Sequence, residues 1–127
     1  MKALALLLGL VLCLSINARE GYTPIAPEDI SNLEDVMTIG TKASLTLALE
    51  EGKINPAVFH IDKLLSLAKQ DRDDATSYEV IVQVSDKYNP SVTGVVEYII
   101  EQSAETNEYV LKAHFVTFNN RNKDSDF

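Results

Sequence analysis

The chain has 127 residues, 19 acidic against 11 basic, a net charge of −8 at pH 7, one cysteine and no tryptophan. That balance repels nucleic acid and anionic membrane surfaces and favours a basic partner. A single cysteine cannot form an intramolecular disulfide, so the fold has to rest on its apolar core.

Residues 1–18 have the layout of a secretory signal peptide: Lys2, an apolar run from Ala3 to Leu14, then Ser15-Ile16-Asn17-Ala18 with a small residue before the expected cut. A transmembrane span needs roughly 20 apolar residues, and Arg19 and Glu20 arrive too soon for one. Cleavage near Ala18 removes Cys13 and Lys2, which leaves a thiol-free chain with a net charge near −9. The expectation is a secreted, extracellular protein that has no membrane contact after cleavage. A single domain over residues 19–118 then carries a polar tail, residues 119–127. No Asn-X-Ser/Thr sequon is present, since Asn89 is followed by Pro90.

Residues 19–30 contain Gly21, Pro24 and Pro27 without periodicity and read as an extended arm, with room for a short strand near Tyr22 to Ile25. Ser31-Asn32-Leu33-Glu34 fits a capping box with Ser31 as N-cap. Alternatively, Pro27 sits in the first helical turn with Glu28 and Asp29 at the positive helix end. Leu33, Val36, Met37, Gly40, Ala43, Ser44, Leu47 and Ala48 then recur at three- and four-residue steps, which predicts an amphipathic helix over residues 31–51. Gly40, Ala43 and Ser44 make its buried stripe small, so the helix should lie close against a sheet. Gly52 is the expected C-cap.

After a turn at Asn55-Pro56 come four strand-like runs. Residues 58–69 place Phe59, Ile61, Leu65 and Leu67 on one face, interrupted by Lys63, which predicts a long, bent strand. In residues 77–85, Tyr78, Val80, Val82 and Val84 alternate with polar residues and Ile81. Asp86-Lys87-Tyr88-Asn89-Pro90 is turn chemistry. Residues 92–102 are β-branched and aromatic. Residues 109–118 place Tyr109, Leu111, Ala113 and Phe115 inward, joined to the preceding run by a short hairpin at residues 103–107. One helix followed by four antiparallel strands predicts an α+β domain with the sheet curled across the helix.

This order, with Gly21-Tyr22-Thr23-Pro24-Ile25 ahead of the helix and two strands flanking a short charged loop, resembles the cystatin family over nearly the whole mature chain. The resemblance implies a cystatin-like α+β fold, one long N-terminal helix packed on a curved four- to five-stranded antiparallel sheet. It also implies reversible inhibition of papain-type cysteine proteases by an arm and two hairpin loops wedged into the active-site cleft. Carried onto this sequence, the contacts fall on Gly21, on Asp71, Arg72, Asp73, Asp74 and Ala75, and on Ser103 and Ala104. The first loop departs from the Gln-Val-Val-Ala-Gly pattern, keeping its length and losing both valines and the glycine. The second loop lacks tryptophan, and the cysteines of secreted cystatins are missing. Burying the aspartates unpaired in a cleft would cost several kcal/mol for each ion. The alternative reading is therefore a non-inhibitory extracellular interaction protein on the same scaffold, with a basic surface as partner.

Other chemistries find little support. An EF-hand loop starting at Asp71 would need glycine where Thr76 stands and glutamate where Val82 stands, so no metal is expected. His60 and His114 fall on opposite parity from the main apolar face. No thiol remains for a cysteine–histidine pair, serines 66, 77, 85 and 91 sit in no motif, and no phosphate loop or dinucleotide fingerprint occurs. The protein is expected to be no enzyme and to need no cofactor.

Overall fold

The computed structural model describes residues 21–49 and 58–118. The expected leader over residues 1–18, the helix end at Gly52, the Asn55-Pro56 turn and the polar tail lie outside the described residues. The elements are β1 (Thr23–Pro24), a 3-10 turn (Pro27–Asp29), one helix α1 (Leu33–Leu49), and four long strands β2 (Phe59–Asp71), β3 (Ala75–Asp86), β4 (Thr93–Ser103) and β5 (Tyr109–Phe118). They form one antiparallel sheet in the order β1-β2-β3-β4-β5. The helix lies across β4 and β5 and reaches β3. This is the expected α+β arrangement, a helix on a curled five-stranded sheet.

Within the described part of the arm, a short strand forms where the sequence left room for one. Thr23 pairs with Lys69 and Pro24 with Ala68, so β1 adds a short edge to β2. Proline is tolerated there because an edge strand needs no outward N–H. Pro27 opens the separate 3-10 turn rather than the helix. The first helical hydrogen bond runs from the Val36 N–H to the Asn32 carbonyl. The N-cap is thus Asn32, one residue beyond the expected Ser31.

Helix burial follows the expected stripe through Val36, Gly40 and Ser44, then departs from it. Thr41, Leu45 and Leu49 face the core, whereas Leu47 and Ala48 are exposed. The stripe drifts because 3.6 residues per turn does not hold one face over four turns of strict i, i+4 steps. Gly40 sits directly on Tyr98 of β4. A Cβ added at Gly40 would lie 2.0 Å from Tyr98 Cε2, so only glycine allows this approach. The Tyr98 hydroxyl exchanges a 3.1 Å hydrogen bond with Thr41 Oγ1 and lies 3.2 Å and 3.3 Å from the carbonyls of Met37 and Val36. Around this contact Val36, Leu45, Val80, Val82, Val84, Val96 and Ile100 form the core. Each such aliphatic side chain contributes about 1.5–3 kcal/mol when fully buried.

Two strands carry bulges that reverse the expected facing of their side chains. In β2 the register slips between Ile61 and Lys63 and again between Leu64 and Ser66. Phe59, Ile61, Leu64 and Leu67 therefore meet the core, and Leu65 joins Ile81 and Val95 on the opposite face. In β5 the residue opposite Ile100 is Leu111 and that opposite Ile99 is Ala113, so Lys112 is the extra residue. Beyond it Val116 and Phe118 turn inward, while Phe115, expected inward, is exposed. The same bulge sets His114 opposite Tyr98, on the helix side rather than the outer face, where it remains exposed. His60 keeps its expected outward parity, opposite Ser85. The curl is strong enough for Phe59 of β2 and Phe118 of β5 to bring their rings to 5.3 Å between centroids.

Two outcomes follow. Gly40→Ala gains helix propensity of about 1 kcal/mol but drives a methyl into a fully buried ring. The overpacking of about 1–3 kcal/mol should dominate and lower the urea midpoint. Burial of Tyr98 holds its phenol protonated well above the ordinary range. In the unfolded chain the phenol ionises near pH 10, so its stabilising effect is complete below that pH and fades as the pH rises above it. Tyr98→Phe should remove that alkaline loss in unfolding curves, while costing about 0.5–1.5 kcal/mol at neutral pH through the lost hydrogen bonds.

Candidate functional site

The residues singled out from the sequence gather at one end of the sheet. The β2–β3 connection is a tight turn closed by the Arg72 N–H donating to the Ala75 carbonyl at 2.9 Å. Thr76 Oγ1 donates to Asp71 Oδ1 at 3.2 Å, and Lys69 Nζ lies 3.3 Å from Asp71 Oδ2. The β4–β5 connection is held by Ser103. Its Oγ accepts from the Glu105 and Thr106 amides at 3.2 Å, and its carbonyl accepts from the Asn107 amide at 2.8 Å. Asn107 takes φ +64°, the left-handed conformation that asparagine tolerates at a hairpin corner.

Pairing brings the two turns side by side. Ala75 stands opposite Ser103 at the end of the β3–β4 ladder, and the Ala104 N–H donates to the Asp74 carbonyl at 2.9 Å, carrying the ladder one step into both turns. Gly21 meets the same end through Gln70, where an added Cβ would lie 2.2 Å from Gln70 Nε2. Its φ of +90° is one that other residues rarely adopt. All the sequence-derived positions, from Gly21 through the 71–75 turn to Ser103 and Ala104, thus share one extremity.

Arg72 does not project from this end. Its guanidinium folds back across the outer face of the sheet, donating to Gln70 Oε1 at 3.0 Å and Ser77 Oγ at 3.1 Å and pairing with Glu101. Ser77 Oγ also donates to Glu101 at 3.2 Å, and Lys112 Nζ approaches the other carboxylate oxygen at 3.9 Å. The hydrogen bond from Arg72 holds the Glu101 carboxyl below its usual range, and the same bond raises Arg72. Both groups are solvent-accessible, so the network orders the turn more than it stabilises the fold. With Arg72 withdrawn, the turn presents Asp71, Asp73 and Asp74, joined at this end by exposed Glu105 and Glu108. The surface is acidic with a neutral backbone seam between the turns.

Sequence reasoning missed several residues that build this end. Asn32 caps α1 with its carbonyl and sends its side-chain amide to Tyr109 Oη at 2.9 Å, Gln102 Oε1 at 3.0 Å and Tyr78 Oη at 3.4 Å. One side chain thus ties the helix start to β3, β4 and β5 just beneath the turns. Gln70, Ser77, Glu101 and Lys112 stand in no sequence motif, and only the register of the sheet brings them together.

A second polar cluster lies on the outer face at the opposite end, where His60 Nε2 is 2.9 Å from Asp62 Oδ1 and 3.1 Å from Ser85 Oγ. Ser85 also donates to Asp62 at 2.9 Å. Both partners meet the same ring nitrogen, whereas a serine–histidine–aspartate relay uses the two nitrogens separately. Among the described residues no three histidine, cysteine or acidic side chains are placed to hold a metal ion. Compared with known proteins, the sequence matches no family model and no curated protein. The link to a cystatin-like scaffold therefore rests on topology, with which it is compatible.

Glu101→Gln should loosen the 71–75 turn while leaving the core intact. NMR should show faster backbone motion at Asp73 and Asp74 with an unchanged urea midpoint. Because the folded pKa of Glu101 is depressed, the ordering is present above the ordinary glutamate range and lost as the pH falls through the lower folded value. The Arg72 side-chain resonances should report that transition.

Proposed function

We propose that this is a secreted cystatin-like protein that reversibly inhibits a papain-type cysteine protease through the end built from Gly21, residues 71–75, Ser103 and Ala104. The observation that carries the reading is the meeting of arm and both turns at one extremity, fixed by the Asp74–Ala104 backbone hydrogen bond and by Gly21 against Gln70. A wedge of this kind works by offering backbone at a cleft without a bond placed for cleavage. The protein acts by occlusion and not as an enzyme.

The charge of the first turn decides what kind of cleft could accept it. Asp73 and Asp74 are exposed, and the nearby Arg72 charge, which Asp74 helps to raise, is already paired with Glu101. Taking them into an apolar cleft would cost several kcal/mol. A protease with basic residues at the rim of its cleft would instead steer and pair them. The same observation favours the second reading, a non-inhibitory interaction protein whose acidic end docks on another basic extracellular surface.

Titrating residues 19–127 against papain and a cathepsin L-type enzyme separates the two. Inhibition at micromolar concentration or tighter is expected, weakening by about tenfold or more when residues 19–24 are removed or Gly21 becomes alanine. Replacing Asp71, Asp73 and Asp74 by asparagine should weaken binding and flatten its salt dependence. No inhibition at high micromolar concentration would sink the inhibitor reading and leave the second.

A further inference from the structure

Four of the five large apolar side chains left exposed among the described residues belong to the neighbouring elements α1 and β5, two on the helix layer and two on the outer face of the sheet. They are Ile39 and Leu47 of α1 and Val110 and Phe115 of β5, between 40% and 63% exposed; the fifth, Tyr88, is in the β3–β4 turn. The strand β5 ends the sheet, so its outward N–H and C=O groups have no neighbouring strand among the described residues. At about 100° per residue, Ile39, Ala43 and Leu47 form one stripe of α1. Thr38, Thr41, Lys42 and Leu45 line a groove with Phe59 and Ile61 of β2, so the stripe faces the other way, toward β5.

The two edges of the sheet are treated differently. On β2, β1 covers Ala68 and Lys69, and two bulges break the remaining run. Such features keep an edge from recruiting another strand. On β5 a single bulge at Lys112 leaves residues 113–118 regular.

We propose that the β5 edge and the α1 flank beside it form an interface between two copies of this chain, paired antiparallel about a two-fold axis. Three observations favour a second copy as the occupant. First, among the described residues β5 is the only long strand without an acidic residue; β2 carries Asp62 and Asp71, β3 Glu79 and Asp86, β4 Glu97 and Glu101. Two chains of net charge −8 meet there with the least repulsion. Second, the stretch 113–117 is centred on Phe115. Residues directly opposed in an antiparallel pair share a face, so a two-fold at Phe115 sets the two phenyl rings together on the outer face and His114 against Val116 of the other copy. Third, stable interfaces bury roughly 1,200–2,000 Å² in total, and the exposed apolar residues of α1 beside β5 extend the surface beyond the strand edge. That extension is the Ile39–Ala43–Leu47 stripe, with Ala43 small enough for two helices to approach.

Sedimentation equilibrium of residues 19–127 from low to high micromolar concentration tests this. A monomer–dimer equilibrium is expected. Phe115→Glu and Leu47→Glu should each weaken it by about tenfold or more with unchanged far-UV circular dichroism, while Tyr88→Glu leaves it unaffected. In the unmodified chain, amide exchange over residues 113–117 should slow as concentration rises, which answers the question even if a variant fails to fold. A monomer at every concentration overturns the proposal. So does a dimer whose 113–117 amides exchange at a concentration-independent rate, as an exchange of elements elsewhere would give. Protection of those amides only on adding an unrelated extended peptide would also overturn it.

Discussion

Everything in this fold depends on how closely α1 approaches β4. Gly40 lies on the ring of Tyr98, and the absence of a side chain there lets the phenol reach helix carbonyls that a larger residue would shield. A carbonyl can accept a second hydrogen bond beside the helical one, so the buried hydroxyl is satisfied without disturbing the helix. That contact sets the spacing between layers, and the sheet must curl to keep its flanking strands in touch with a rod held so near. The meeting of Phe59 and Phe118 at one end shows how far the curl goes. At the other end Asn32 binds the start of the helix to three strands. The turns that make up the candidate site are therefore extensions of a ladder clamped on both sides.

Much of this was legible because it rests on periodicity. The small stripe of Gly40, Ala43 and Ser44 announced close packing, and Tyr78, Val80, Val82 and Val84 gave the orientation of β3 without ambiguity. Bulges were not legible. A bulge adds one residue and reverses the facing of every residue after it, yet Asp62, Leu65 and Lys112 differ in no evident way from their neighbours in sequence. Leu65 and Phe115 depart from the expected facing for this reason. Ser31 and Asn32 are both good N-caps, and the choice between them was made by partners more than 40 residues away.

The candidate site divides along the same line. Its positions could be read from the turns, since pairing of successive strands brings residues 71–75 and 103–104 together once the sheet is antiparallel throughout. What the side chains do there could not, because it depends on register across four strands. Arg72 looks in sequence like a charge offered to a partner, but the outward parity of Gln70, Ser77 and Glu101 gives it an internal destination. The outcome is a turn more acidic than its composition implied.

That withdrawal bears on how an acidic protein can bind at all. Asp71, Asp73 and Asp74 crowd one extremity, while β5 has no acidic residue and carries Lys112 and His114. Like charges within a Debye length of about 8 Å at physiological salt repel strongly, so separating the two regions lets a basic partner and a second copy be approached independently. Antiparallel pairing along β5 reinforces the separation. A two-fold at Phe115 lies beyond the bulge, toward the end of β5 remote from Tyr109 and the neighbouring turn. The two acidic extremities then point in opposite directions, each clear of the other copy, so the same chain can pair with itself and still leave Gly21, the 71–75 turn and Ala104 open to a partner.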